Sequence, residues 1–255
     1  MDRNRIYRGK WQDVLPRLLT GQFSLIYIDP PFNTGKTQRR NSITYADSMP
    51  EMSYRIWLRR ALVEAYRVLA PNGSILVHLD WRRVHEVKCS ILDSIFGKKS
   101  FMNEIIWAYD FGGRSKRFWP RKHDTILWYV KDPKNYIFNY DAIDRVPYMA
   151  PGLVGAEKAA RGKTLTDVHW QTIVPTMGKE KTGYPTQKPI GLIKRFVLVH
   201  SNPGDWCLDF FAGSGTLGEA CALANRKFVL VDKSKVALRI QQQRLQKFDP
   251  KIILV

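Results

Sequence analysis

The stretch Leu25-Ile26-Tyr27-Ile28-Asp29-Pro30-Pro31-Phe32-Asn33-Thr34-Gly35 runs from an apolar segment rich in strand-favouring residues straight into a carboxylate and two prolines. Proline has no N–H and a fixed φ, so helix and further ladder pairing are both forbidden and the predicted strand stops at Asp29. Open α/β sheets bind ligands in the crevice outside the carboxyl ends of their parallel strands, which makes Asp29 a candidate site residue. Pro30 biases Asp29 towards an extended backbone, and the carbonyls of Pro30 and Pro31 are claimed by no strand partner. Phe32 adds an aromatic face. Acceptors beside a stacking ring suit a planar group that carries an amino donor, such as a nucleobase.

A second stretch has the same design. Trp206 to Phe211 reads as a strand, Ala212-Gly213-Ser214-Gly215-Thr216-Leu217-Gly218 opens a helix running to about Asn225, and Lys227 to Val231 is the next strand, ending at Asp232. The pattern G-x-G-x-x-G, with an acid 19 positions beyond its first glycine, is a nucleotide-binding fingerprint. Glycines let a ligand approach backbone N–H groups at a helix start, and Asp232 can accept hydrogen bonds from ribose hydroxyls. By itself this leaves a nicotinamide dinucleotide open. Its position narrows the choice: after Asp232 only a helix (Lys235 to Lys247) and a terminal strand (Ile252 to Val255) remain, which is half of a doubly wound sheet. The missing neighbour is expected from the start of the chain, as the strand ending at Asp29.

Together these motifs carry a family resemblance. Asp29 to Gly35 resembles the catalytic motif of the amino-group DNA methyltransferases of the adenine-specific type, and Gly183-Tyr184-Pro185-Thr186-Gln187-Lys188-Pro189 is similar to that family's P-T-Q-K-P element. The order, catalytic motif first and glycine loop last, resembles the permuted beta group, whereas dehydrogenases normally open with their glycine loop. Most of the chain outside roughly 132–170 is covered; Phe210 departs from the family, whose members usually have proline there.

The resemblance implies an α/β fold, a Rossmann-like, mostly parallel, doubly wound sheet with circularly permuted motif order and a small irregular insertion. It implies S-adenosyl-L-methionine as cofactor, held by Asp209, Phe211, Gly213, Ser214, Gly215, Thr216 and Asp232, with Thr186 and Lys188 meeting the carboxylate of its methionine end. Asp29, Pro30, Pro31 and Phe32 would receive the target base, and no metal is required. The implied activity is methylation of the adenine amino group in double-stranded DNA, of restriction-modification or orphan type. The same acceptors would serve the amino group of cytosine, and a catalytically inactive DNA-binding relative is a third reading. A homodimer and a cognate restriction endonuclease are the partners the resemblance suggests.

Composition agrees with a polyanionic partner. The 255 residues hold 41 Lys and Arg against 23 Asp and Glu, a net charge of +18, the electrostatic footprint of a nucleic-acid binder. No apolar run approaches the ~20 residues of a membrane span, and no signal-peptide core follows Met1-Asp2-Arg3-Asn4-Arg5. Cys89, Cys207 and Cys221 form no C-x-x-C, which points to a reducing cytoplasm, with the protein beside the nucleoid. None follows a proline, unlike the Pro-Cys nucleophile that cytosine ring-carbon methyltransferases resemble one another in.

Helices are expected at 10–20 (broken by Pro16), at 51–69 (stopped by Pro71-Asn72-Gly73) and at 82–97, with strands at 74–79, 104–108 and 125–130. Thr34 to Pro50, with Lys36, Arg39 and Arg40, reads as a mobile loop over the site. Gly112 to Lys122 holds five basic residues in eleven (Arg114, Lys116, Arg117, Arg121 and Lys122) interleaved with Phe118 and Trp119. Charge and rings together suit phosphates and exposed bases. Residues 1–131 and 184–255 are assigned to the catalytic domain, and 132–183, with weak periodicity and scattered aromatics, to an insertion that reads the target sequence.

Overall fold

A computed structural model describes residues 3–40, 43–175 and 177–255, with the side chains of 36–47 outside the described part. The strands are β1 (Arg5–Arg8), β2 (Phe23–Ile28), β3 (Lys36–Arg40), β4 (Ile43–Asp47), β5 (Leu69–Leu79), β6 (Phe101–Ala108), β7 (His123–Val130), β8 (Arg145–Val146), β9 (Lys163–Thr164), β10 (Val168–Trp170), β11 (Trp206–Asp209), β12 (Lys227–Asp232) and β13 (Lys251–Leu254). The helices are α1 (Trp11–Val14), α2 (Glu51–Val68), α3 (Val84–Val87), α4 (Asp93–Phe96), α5 (Ala156–Arg161), α6 (Ile190–His200), α7 (Thr216–Leu223) and α8 (Lys235–Leu245). Nine strands form one sheet in the order β10-β6-β7-β5-β2-β11-β12-β1-β13. All neighbours run parallel except β7, which is antiparallel to both β5 and β6.

All six residues of β2 are buried because both faces of the sheet are covered. Ile26 and Ile28 join one core with Trp11 of α1 and Leu58 and Leu62 of α2. Leu25 and Tyr27 point the other way, into a core with Leu192 and Phe196 of α6, Leu217 of α7 and Leu245 of α8. The expected junction is present: β2 lies beside β11, with Leu25 opposite Cys207 and Ile26 opposite Leu208.

Four local expectations are corrected. Pro71-Asn72-Gly73 does not separate helix from strand; α2 ends at Val68 and the three residues form a bulge inside β5, where pairing jumps from Phe23–Leu69 to Leu25–Ser74. A Cβ on Gly73 would lie 2.8 Å from the Phe23 carbonyl oxygen, so the bulge requires glycine. Residues 36–40 and 43–47 pair antiparallel as β3 and β4 in place of an irregular loop, while the side chains of Lys36, Arg39 and Arg40 lie outside the described residues. Strand β1, unforeseen, fills the gap between β12 and β13. From the expected insertion, β10 pairs parallel to β6 and extends the main sheet.

Candidate active site

The glycine loop leaves β11 at Asp209 and enters α7 at Thr216. Gly213 and Gly215 both have positive φ, 47° and 76°, conformations that side chains resist. The Gly213 N–H donates to Asp232 Oδ2 at 2.9 Å, the Ser234 N–H to Asp232 Oδ1 at 2.8 Å, and the Phe211 N–H to Asp209 Oδ1 at 2.9 Å. A Cβ on Gly213 would stand 2.9 Å from Tyr184 Cε1, so the tyrosine ring closes over the glycine. Arg244 of α8 braces the helix start, donating to Thr216 Oγ1 at 2.9 Å and Glu219 Oε2 at 2.6 Å; Ser214 Oγ lies 3.1 Å from Thr216 Oγ1.

Acid accumulates here. Burial pushes the Asp209 carboxyl well above its usual range; the Phe211 N–H opposes the shift, and the nearby Asp29 and Asp232 carboxylates add to it. Burial also raises Asp232, partly offset by the N–H groups of Ser234 and Gly213. Such a pocket favours a cationic ligand.

Asp29 follows the last residue of β2, one strand away. Its Oδ2 accepts a hydrogen bond from Lys188 Nζ at 2.7 Å, while Oδ1 is buried with no hydrogen-bond partner among the described residues. Lys188, expected to meet a cofactor carboxylate, has its ammonium on Asp29 in this structure. Thr186, expected to act beside it, is exposed and holds φ at 60°, rare for a β-branched residue. The turn is fixed by Gln187, whose Oε1 accepts from the Thr182 N–H and hydroxyl at 2.9 and 2.8 Å. Thr216 Oγ1 donates to the Lys188 carbonyl at 3.3 Å, which joins this turn to the glycine loop.

The carbonyls after Asp29 are sorted. Pro31 accepts from Tyr54 Oη at 2.8 Å, and Phe32 and Asn33 accept from Arg83 at 2.9 and 3.1 Å. Pro30 has no donor among the described residues. The Phe32 ring stacks on His78, with centroids 6.4 Å apart and planes at 22°.

Beneath Phe32 runs a chain of hydrogen bonds that sequence reading missed. Tyr27 Oη lies 2.8 Å from His78 Nδ1, His78 Nε2 lies 3.1 Å from Asp124 Oδ2, and Tyr109 Oη donates to Asp124 Oδ1 at 3.2 Å. Burial, together with the Asp29, Asp209 and Asp124 charges, pushes the Tyr27 phenol far up, so it stays a neutral hydroxyl against His78. Burial alone would raise Asp124, but the His78 hydrogen bond and the charges of His78 and Lys188 bring it below its usual value. A histidine and a tyrosine at the inward positions of two otherwise apolar strands were the available signal.

The 109–122 loop joins β6 to β7 at the same sheet edge as Asp29, because β6 runs in the direction of β2. Arg114, Lys116, Arg117 and Arg121 are exposed on it. Arg114 pairs with Asp110 at 2.9 Å. Lys122, also expected on DNA, donates across the loop to the carbonyls of Phe111, Gly112 and Gly113. Among the described residues no group of three or more His, Cys, Asp or Glu is placed to hold a metal, and no helix is long and apolar enough to cross a membrane.

Residues 23–243 match the family model described as DNA methylase, N6/N4 type. The chain is 34% identical over 232 residues to the type II methyltransferase M.HpaI of Haemophilus parainfluenzae, covering 91% of this chain and 70% of that protein. It is 30% identical over 246 residues to the DNA adenine methyltransferase YhdJ of Escherichia coli K12, covering 91% and 79%. Its fold is similar to the M1.HpyAVI–SAM complex (TM-score 0.66, 21% identity, 94% of this chain and 98% of that one). It is similar also to the cytosine-N4-specific PvuII DNA methyltransferase (TM-score 0.68, 15% identity, 98% and 94%).

Proposed function

Because the chain belongs to the N6/N4 DNA methylase family, we propose that it transfers a methyl group from S-adenosyl-L-methionine to the N6 amino group of adenine in double-stranded DNA. The observation that carries this reading is a pair of acceptors with no donor among the described residues: Asp29 Oδ1 and the Pro30 carbonyl, side by side in sequence at the sheet edge next to the glycine loop. An exocyclic amine has two N–H groups to give. Hydrogen bonds to these two oxygens draw electron density onto the amine nitrogen and stabilise the positive charge it gains as the new N–C bond forms. Asp29 Oδ1 is also placed to take the proton released afterwards. Phe32, floored by His78, offers its ring to the base.

The residues present fit the cofactor. Bound S-adenosyl-L-methionine supplies a methyl group on a cationic sulfur. The glycine turn at Gly213 and Gly215 with Tyr184 across it, and the buried Asp209 and Asp232, would hold the nucleoside and relieve the crowding of carboxylates. Lys188 orients Asp29 through Oδ2 and leaves Oδ1 to the substrate.

Reaching the amine in a duplex means extruding the nucleotide, at a cost of a few kcal/mol. The exposed cations of 114–121 offset this through phosphate contacts. Residues 132–183 are proposed to read the target sequence. Chromosomal DNA in the cytoplasm is the expected substrate, and the resemblance to M.HpaI supports a restriction-modification setting with a cognate endonuclease. A homodimer remains part of the proposal by family resemblance.

Methylation of the cytosine amino group is the second reading, supported by the likeness to the PvuII enzyme and by the shared acceptor geometry. Asp rather than Ser ahead of Pro30-Pro31-Phe32 and the adenine-specific E. coli relative favour adenine. Chromatography of nucleosides from DNA treated with labelled cofactor tests the choice: N6-methyladenine is expected, and N4-methylcytosine as the labelled product would overturn it.

A further inference from the structure

We propose that Trp119 is a wedge that enters the DNA base stack at the position the target nucleotide leaves, an inference that rests on the methyltransferase reading above. Trp119 is 93% exposed. The indole leaves on the order of 200 Å² of largely apolar surface in water, and Phe111 and Phe118 of the same loop are exposed as well, so the ring does not stand as a single scattered residue but belongs to a group of exposed apolar side chains of the kind that marks a contact surface. Its chain neighbours are held in place. Pro120 restricts the Trp119 backbone to the extended region, and the neighbouring Arg121 guanidinium lies against two rings, 3.9 Å from the Trp81 centroid and 4.7 Å from that of Phe118. Lys122 ties the opposite leg of the loop through three carbonyls.

The loop is also anchored to the chemistry. Tyr109, at its entry, bonds Asp124, and Asp124 bonds the His78 that floors Phe32. The Tyr109 N–H meets the Lys122 carbonyl at 2.8 Å, which closes the loop neck at the sheet edge where β2 ends. Lys116 and Arg117, on the same loop, are exposed and available as phosphate partners for the same duplex. Proteins that unstack a base step commonly do it with an apolar side chain backed by cations, and a flipped nucleotide leaves a gap of one ring's thickness. Trp119 has the shape, the exposure and the backing for that gap. It acts on the equilibrium for extrusion and touches neither the amine nor the cofactor, so it is a positioning residue.

The test compares wild type, Trp119→Ala and Trp119→Phe on two duplexes containing the methylated sequence found in an expressing host. One duplex is fully paired; in the other the target base faces an abasic site and is already unpaired. The expected result is a loss of at least tenfold in kcat/KM for Trp119→Ala on the paired duplex, recovery to within about threefold of wild type on the unpaired one, and near-normal activity for Trp119→Phe on both. With 2-aminopurine at the target position, the fluorescence rise on binding should vanish for Trp119→Ala. Equal activity of Trp119→Ala and wild type on the paired duplex, or an equal loss on both duplexes, would overturn the wedge. So would a Trp119→Ala protein altered only in its association with other protein chains. Wild type that methylates neither duplex would refute the methyltransferase reading and the wedge with it.

Discussion

Lys188 and Asp29, 159 positions apart, meet through a 2.7 Å hydrogen bond at the sheet edge, and that contact leaves one oxygen of Asp29 buried and unpaired. The P-T-Q-K-P turn thereby sets the direction of the candidate catalytic carboxylate. Lys188→Met keeps the chain length and removes the charge; kcat should fall by about 10–100-fold with a smaller change in KM for DNA. Steady-state transfer of labelled methyl groups would measure it, and a kcat equal to wild type would show that Asp29 needs no orienting partner.

Gly213 has a positive φ and a tyrosine carbon 2.9 Å from where a Cβ would stand. Gly213→Ala should therefore weaken S-adenosyl-L-methionine by tenfold or more, about 1.4 kcal/mol, by calorimetric titration. Asp232→Ala should do the same by removing the acceptor that holds the Gly213 and Ser234 N–H groups.

Burial holds His200 down to about 3 and His169 down to about 4. The unfolded chain protonates histidine near pH 6.5, so between that pH and 3–4 it binds protons the folded chain refuses. Stability is then full above pH ~6.5 and is lost as pH falls, by up to ~1.4 kcal/mol per pH unit for each histidine. Asp209, raised in the folded state, opposes this with the contrary sign, losing its contribution as pH rises from about 4. Asp232, also raised, acts in the same sense as Asp209, so the histidine share is read as a difference: from pH 7.5 to 5 the urea midpoint of wild type should drop relative to that of His200→Gln.

Each phosphate contact contributes about 0.9 to the slope of log affinity against log salt on duplex DNA. Replacing Lys116 and Arg117 together by alanine should reduce that slope by up to ~1.8, read from binding isotherms at several salt concentrations.

The two strand ends at the candidate site were legible because each apolar run gives way to turn residues, Pro30 without an N–H in one case and the glycine pair Gly213 and Gly215 in the other. Strand β1 was not, since Arg5 and Arg8 flank only two buried residues, Ile6 and Tyr7. Pro71-Asn72-Gly73 looks like a helix stop from local propensity alone, and only the neighbouring strand turns it into a bulge. The Tyr27–His78–Asp124 chain joins residues 51 and 46 positions apart, and such partners carry no local pattern. The contact of Lys188 with Asp29 was not legible, because it joins residues 159 positions apart.

The most direct measurement is single-turnover methyl transfer to DNA by Asp29→Ala, with cofactor affinity determined on the same protein. No detectable transfer, with the dissociation constant for S-adenosyl-L-methionine within about tenfold of wild type, is the result expected if Asp29 Oδ1 receives the amine. Transfer at the wild-type rate would contradict it.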